Sequence, residues 1–422
     1  MMSPRKASKS LAQRAIFCLE KFGEHELANH AAAGAYAFLL SAMPVVLLAL
    51  DLAARLLRSR PGALADAKSA IAGLIGAMAA QDAVKAFFDR PLGLLAEAIG
   101  AISLLYSARL LIVTIQRGLR AVWGSQGKAA LLRDNLLGFA LELVALLAVV
   151  AILAASAATR IVSDALGSGA GLLLNGTMRR AARALPSLVL LAFVYLNYRL
   201  APPERPPRGI ALAAALLCVP SSLAFSSVFG LFMSGARYNL LYGIFGNLII
   251  LLANVYFFFC FFFGCAELVF IERRLDSLLF ARYQRASVEG GRFERSLFGR
   301  PERLFARYGR SFAAGELVFS AGEAGSEAYF VHEGSIGIYV TARGGEVRLA
   351  TIEAGEIFGE MALIQGEVRS ATARAETECL ALVLPPEIFE PYLQSGGEAT
   401  RKLVELLAER LRKANERFAG RA

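Results

Sequence analysis

Two kinds of hydrophobic pattern divide the chain, and the change between them falls close to residue 300. Before it, long apolar runs dominate. Six of them approach the roughly 20 residues that cross about 30 Å of hydrocarbon, at 31–54, 92–115, 135–159, 184–200, 209–233 and 239–271. The fourth is short and bounded by Arg183 and Arg199, and the sixth is long enough to tilt or to project beyond a bilayer. Ahead of the first, residues 1–28 are polar and basic with Leu11, Ile16, Leu19 and Phe22 at helical spacing, which predicts an amphipathic helix on the cytoplasmic surface. No small-residue cleavage site follows that segment. Between the first two runs, residues 62–90 place Leu64, Ala67, Ile71, Leu74, Met78, Val84 and Phe87 at helical spacing and predict an interfacial helical hairpin.

The stretch 272–304 is basic and is interrupted by Gly290 and Gly291, the pattern of a linker. Beyond residue 311 the pattern shortens to β-type segments separated by glycine turns: Glu316–Phe319, Ala328–His332, Gly337–Thr341, Val347–Ile352 and Cys379–Leu384. An amphipathic helix at about 397–418, with Leu403, Leu406, Leu407 and Leu411 on its apolar stripe, closes this part. The expected fold is therefore a membrane all-α six-helix bundle followed by a small α+β domain, a β-jelly-roll barrel with flanking helices. The expected domains are an N-terminal amphipathic helix over 1–28, a six-span membrane domain over 29–271, a basic linker over 272–304 and a C-terminal domain over 305–422.

Composition supports the bilayer reading. Of 422 residues 56% are hydrophobic and only 19% are charged, and the mean hydropathy is +0.51, too apolar for a water-soluble domain of this size. The net charge of +10 does not point to nucleic acid, because much of the Lys and Arg flanks apolar runs, where basic residues fix orientation. Arg5, Lys6, Lys9 and Arg14 precede the first run, Arg117, Arg120, Lys128 and Arg133 follow the second, and Arg273 and Arg274 follow the last. An even number of spans with these flanks places both termini in the cytoplasm; Arg55, Arg58, Arg60, Arg179, Arg180 and Arg183 run against that rule. The five cysteines are scattered without paired spacing and predict neither disulfides nor a zinc site.

The densest chemistry lies at Phe358-Gly359-Glu360-Met361-Ala362-Leu363, followed by Val368-Arg369-Ser370-Ala371-Thr372. Gly359 permits close backbone approach, a helical turn from Glu360 offers free amides to an anion, and Arg369 supplies a fork that matches phosphate oxygens. Glu360 can accept a hydrogen bond from a ribose hydroxyl. Together they describe a site for a compact ribose-phosphate anion.

With Gly315-Glu316, Gly322-Glu323, Tyr329-Phe330-Val331 and Gly334-Ser335-Ile336 upstream, this region resembles the cyclic-nucleotide-binding domain of bacterial catabolite activators, cAMP-dependent kinase regulatory subunits and cyclic-nucleotide-gated channels. The resemblance covers about 305–418. It implies that Glu360 holds the ribose 2′-hydroxyl and Arg369 the cyclic phosphate, with Ser370 and the amides of Gly359 and Ala362, beside Met361, completing the cradle. It places Asn415 near the purine, and Val368 departs from the proline common at its position. The implied regulatory ligand is cAMP or cGMP, and no cofactor or metal is expected. Homo-oligomerisation is left open, since related domains often act in oligomers.

In the apolar part, Ala35 to Pro44, Tyr106-Ser107-Ala108-Arg109 running on to Val122-Trp123-Gly124, and Tyr238-Asn239 with Tyr242-Gly243 resemble the YihY/BrkB family of bacterial inner-membrane proteins, once labelled ribonuclease BN-like, over about 12–275. Cys265-Ala266-Glu267 carries cysteine where that family usually has glycine, and Asn254 stands where tryptophan is common. The potassium-channel filter pattern is absent. Ionisable and amide groups within the runs are functional candidates: Glu97, Arg109 and Glu142, with Arg109 able to pair with either acid, and Asn247 and Asn254 on one helix face. Three isolated histidines and no nucleophile or phosphate-loop motif argue against an enzyme. The expected function is a multi-pass inner-membrane protein, a transporter or translocator controlled by cAMP or cGMP. An unconventional gated ion channel and a non-transporting sensor or scaffold are the alternatives. The expected partners are cyclic nucleotide and the lipid bilayer, with no nucleic acid.

Overall fold

The computed structural model describes residues 4–56, 94–123, 184, 186–200, 202, 205–234, 238–289, 291–342 and 345–394. The chain separates into two compact units, one of Ile16–Phe270 and the other of Met1–Ala15 with Ile271–Ala422. The expected hairpin at 62–90, the third run at 135–159 and the closing helix at 397–418 lie outside the described residues.

The first unit is helical. Its described elements are the second part of α1 (Pro4–Glu24), α2 (Leu27–Leu56), α3 (Leu94–Trp123), α4 (Pro186–Leu200), α5 (Arg208–Ser234) and the first part of α6 (Tyr238–Glu289). Among the described residues, two helical segments are long and apolar enough to cross a membrane, Arg208–Phe232 and Leu248–Ala286, and α4 is a shorter apolar helix. The outer surface of α5 is apolar, with Leu212, Leu216, Leu217, Val228, Leu231 and Phe232 exposed, an arrangement that a hydrocarbon solvent allows and water penalises. Pro220 lies within α5 and removes a donor. The hydroxyls of Ser221 and Ser222 donate to the carbonyls of Leu217, Cys218 and Val219 in the same turn.

The interior of this unit is aromatic: Tyr198 on α4 and Phe259, Phe262 and Phe263 on α6 are buried together with Val194, Ala211 and Ala215. Small residues let the helices approach these rings. A Cβ on Gly118 would lie 2.4 Å from the Phe263 ring, and one on Gly34 would lie 3.0 Å from Phe259. Tyr198 satisfies its hydroxyl by donating to the carbonyl of Phe262 at 2.7 Å.

The second unit contains the start of α1, the end of α6, and two short helices, α7 (Arg292–Phe298) and α8 (Glu302–Tyr308). These lead into eight strands: β1 (Gly309–Phe312), β2 (Leu317–Phe319), β3 (Ala328–Glu333), β4 (Ile336–Ala342), β5 (Gly345–Ile352), β6 (Ile357–Phe358), β7 (Thr372–Ala375) and β8 (Cys379–Leu384). Helix α9 (Glu360–Gln365) follows β6, and α10 (Pro386–Gln394) follows β8. The strands form two antiparallel four-stranded sheets, in the orders β1-β8-β3-β6 and β2-β7-β4-β5. Phe312, Phe319, Tyr329, Val331, Ile336, Ile352, Phe358 and Ala373 from both sheets share one core.

The five strands expected from pattern are present, and β1, β6 and β7 are additional. The basic stretch expected as a linker is helical: residues 272–289 continue α6, and α7 and α8 follow. Its polarity conceals an apolar stripe, because Leu275, Leu279, Phe280 and Tyr283 are buried. Phe280 meets Phe330 of β3 and Tyr392 of α10 at ring separations of 5.4 and 5.0 Å. Burial of such a side chain contributes roughly 1.5–3 kcal/mol. Charged groups frame the contact: Arg303 and Arg307 of α8 reach Asp276 at 2.6 and 3.1 Å, and Arg14 of α1 reaches Glu272 at 2.8 Å.

Candidate functional site

The site is built from the β6–α9 junction and the segment before β7. Gly359 caps α9 with φ of 75°, in the left-handed region where a side chain is strained. Its lack of a side chain also has a steric reason, since a Cβ there would lie 2.9 Å from Nη1 of Arg369. The turn that follows carries Glu360, only 1% exposed, with Ala362 buried and Met361 exposed. Gly366 ends the helix with a second left-handed residue.

Arg369 is held on every side. Its backbone N–H donates to the Glu323 carbonyl at 2.9 Å, and its own carbonyl accepts from Gly322 at 2.8 Å. The residue is 4% exposed. Nη1 donates to the carbonyl of Gly359 at 2.7 Å, and the guanidinium lies over the rings of Phe319 at 4.3 Å and Tyr329 at 5.6 Å. Gly325 backs it so closely that a Cβ would sit 2.6 Å from Nε and Nη2. Among the described residues no carboxylate forms an ion pair with this guanidinium.

A cation buried to this degree is costly unless an anion meets it. The Gly359 carbonyl uses one donor of its fork and the stacking engages only its face, so the remaining donors favour a small, delocalised anion such as a phosphate. Nearby, burial and then the Glu327 carboxylate push the Tyr329 phenol up, with Arg369 opposing them. Tyr329 donates to Glu327 at 3.3 Å. Among the described residues no group of three His, Cys, Asp or Glu is placed to hold a metal ion.

The structure therefore brings Gly359, Glu360, Met361, Ala362 and Arg369 into one locality; Ser370 follows Arg369 and is exposed, as is Val368. Asn415 lies outside the described residues, as does Glu142. Glu97 lies on α3 and Asn247 on α6 by backbone position. Arg109 is exposed on α3. Asn254 donates to the carbonyl of Ile250 at 3.0 Å, one turn back on α6, while its Oδ1 is buried without a hydrogen-bond partner. Sequence reasoning missed the aromatic floor of Phe319 and Tyr329 and the backing of Gly325. It also missed His25, which meets Glu267 in the helical unit at 3.0 Å.

Fold and site together define a helical membrane-family protein that carries a cyclic-nucleotide-binding domain. The cyclic nucleotide-binding domain profile matches residues 309–395. The profile described as virulence factor BrkB matches residues 18–286, and the chain belongs to that family. The cyclic AMP receptor protein of Thermus thermophilus is 35% identical over 107 residues, 25% of this chain and 50% of that protein. Glutaminase 1 of Bradyrhizobium diazoefficiens is 36% identical over 110 residues, 25% of this chain and 17% of the relative. A cyclic nucleotide-gated potassium channel of Mesorhizobium japonicum is 39% identical over 89 residues, 21% of this chain and 23% of the channel. The chain thus spans half or less of the length of each of these relatives.

Proposed function

We propose that the protein is a six-span inner-membrane protein with cytoplasmic termini, a transporter or translocator whose activity is set by cAMP or cGMP bound to a jelly-roll C-terminal domain. The observation that carries the reading is Arg369, a residue 4% exposed whose guanidinium stacks on Phe319. In this reading it takes the cyclic phosphate, Glu360 takes the ribose 2′-hydroxyl, and Ser370 with the amides of Gly359 and Ala362 completes the cradle. Neither ligand nor protein undergoes a chemical step, so no catalytic role is assigned.

Helix α6 supports the regulatory part. It runs without interruption from Tyr238 to Glu289, and its last turns bury Leu279, Phe280 and Tyr283 against the domain that holds Arg369. A ligand that favours one packing of those turns needs a coupling of only about 1–3 kcal/mol to change activity several-fold. Calorimetric titration of the full-length protein with cAMP and with cGMP tests binding, and flux measured in proteoliposomes with and without nucleotide tests output. Absence of binding by either nucleotide would overturn the regulated reading. Binding without any flux would replace the transporter by a membrane sensor.

A further inference from the structure

The helical unit contains a second polar site, independent of the nucleotide reading. The Glu267 carboxylate on α6 is completely buried. Its Oε2 lies 3.0 Å from Nδ1 of His25, whose side chain is 22% exposed. Its other oxygen, Oε1, is buried and has no hydrogen-bond partner. His25 sits in the turn between α1 and α2, next to Glu26, whose φ of 50° is the one left-handed value outside glycine among the described residues. The titratable groups that act on the carboxylate are Cys18, Lys21 and Glu24 of α1 and His25 of the turn, while Cys265 lies two residues before it on α6. Lys21 and Glu24 form an ion pair with each other. Cys18 donates to the carbonyl of Gly264 at 3.6 Å, and burial, with a smaller push from Glu267, raises its thiol to about 11.

We propose that His25 and Glu267 form a proton-binding site, in which His25 exchanges the proton with water and Glu267 holds its share of it away from water. With one proton the pair is either imidazolium with carboxylate or imidazole with carboxylic acid. Both are neutral overall and both use the same 3.0 Å contact. Loss of the proton, from Nδ1 or Oε2 to water through the exposed edge of His25, leaves a buried carboxylate facing a neutral ring. That state is poorly compensated in apolar surroundings, so release favours separation of the turn from α6. A purely structural pair would be expected to have both carboxylate oxygens satisfied, and Oε1 is not.

The test uses full-length protein in nanodiscs, as wild type, Glu267→Gln and His25→Gln. Proton binding is followed by potentiometry from about pH 5 to 8, where an imidazole ordinarily exchanges, and on to higher pH. Alkylation of Cys18 is followed by mass spectrometry over the same range and expressed as the ratio of wild type to variant, which removes the thiol's own ionisation except for the smaller push from Glu267. The expected result is a wild-type release step displaced upward by a pH unit or more relative to Glu267→Gln, with Cys18 labelling rising through the same midpoint. Superimposable titration curves overturn the proposal. A displaced step without a matching rise in labelling also overturns it, because a static ion pair would give that outcome. If Glu267→Gln does not fold, His25→Gln is compared with wild type by the same two criteria.

Discussion

Arg369→Ala separates affinity from stability, and the structure fixes the expected size of each effect. The fork that faces the ligand can make two charge-assisted hydrogen bonds, each worth about 1.5–3 kcal/mol. Because the residue is 4% exposed, truncation also removes a partner that water cannot replace, for which losses of about 2–5 kcal/mol are usual. A value near 4 kcal/mol lies within both ranges and corresponds to nearly a thousandfold in affinity at about 1.4 kcal/mol per tenfold. Stability should hardly change. The substitution gives up stacking on Phe319, about 0.5–2 kcal/mol, and the contact with the Gly359 carbonyl, about 1 kcal/mol, but it also removes a buried charge without a carboxylate partner among the described residues. These contributions have opposite signs and similar size. Calorimetry with cAMP and cGMP on full-length protein reads the first effect, and thermal unfolding reads the second. Arg369→Lys keeps the charge without the fork and should fall between wild type and Arg369→Ala. Folded Arg369→Ala that binds within tenfold of wild type would refute the reasoning.

Three further outcomes follow from the packing. Gly325→Ala places a Cβ 2.6 Å from the Arg369 guanidinium and should weaken nucleotide binding at least tenfold with Arg369 intact, read by the same calorimetry. Gly118→Ala drives a methyl to 2.4 Å from the buried Phe263 ring and should cost about 1–3 kcal/mol, visible as a lowered unfolding midpoint of the helical unit. Gly23→Ala, which meets nothing within 4 Å, should show no such loss. Burial, and to a smaller extent Arg300, hold His332 below its ordinary range against the opposing pull of Glu333, and its Nδ1 meets the Tyr283 hydroxyl at 2.5 Å. A group with a lowered folded value stabilises the fold above its unfolded pKa of about 6.5 and loses that contribution as pH falls through the folded value. Unfolding of the C-terminal unit should therefore become easier on acidification below about pH 6.5, and His332→Phe should reduce that dependence.

The nucleotide cassette was readable from sequence because it is compact: Gly359, Glu360 and Arg369 fall within one short stretch, and a left-handed glycine before a helical turn is a backbone requirement that sequence displays. Its floor was not readable. Phe319 and Tyr329 come from strands whose place beside Arg369 is set by sheet pairing, such as β2 with β7, which no local pattern encodes. Strands β6 and β7 escaped for a related reason, since two residues, or a Thr-Ala-Arg-Ala run, are too short to show a period. In the basic stretch after residue 271 charge obscures the helical spacing: Leu275, Leu279 and Tyr283 recur every four residues and mark a buried helix face. In the helical unit, apolar run length indicated the segments, and Glu267 inside such a run was a signal in itself. Its meeting with His25, 242 positions away, required the fold.

Helix α6 also acts as a keeper of angular phase. Each residue turns the helix by about 100°, so one residue inserted shortly before Leu275 would swing the stripe of Leu275, Leu279, Phe280 and Tyr283 about a quarter-turn away from the direction set by the preceding turns. An insertion of seven residues would bring it back to within about 20°. Viable lengthening of the helix between Glu272, which meets Arg14, and the stripe that begins at Leu275 should therefore come in whole heptads or be offset by a matching deletion, as with two gears that mesh only when their teeth are in step.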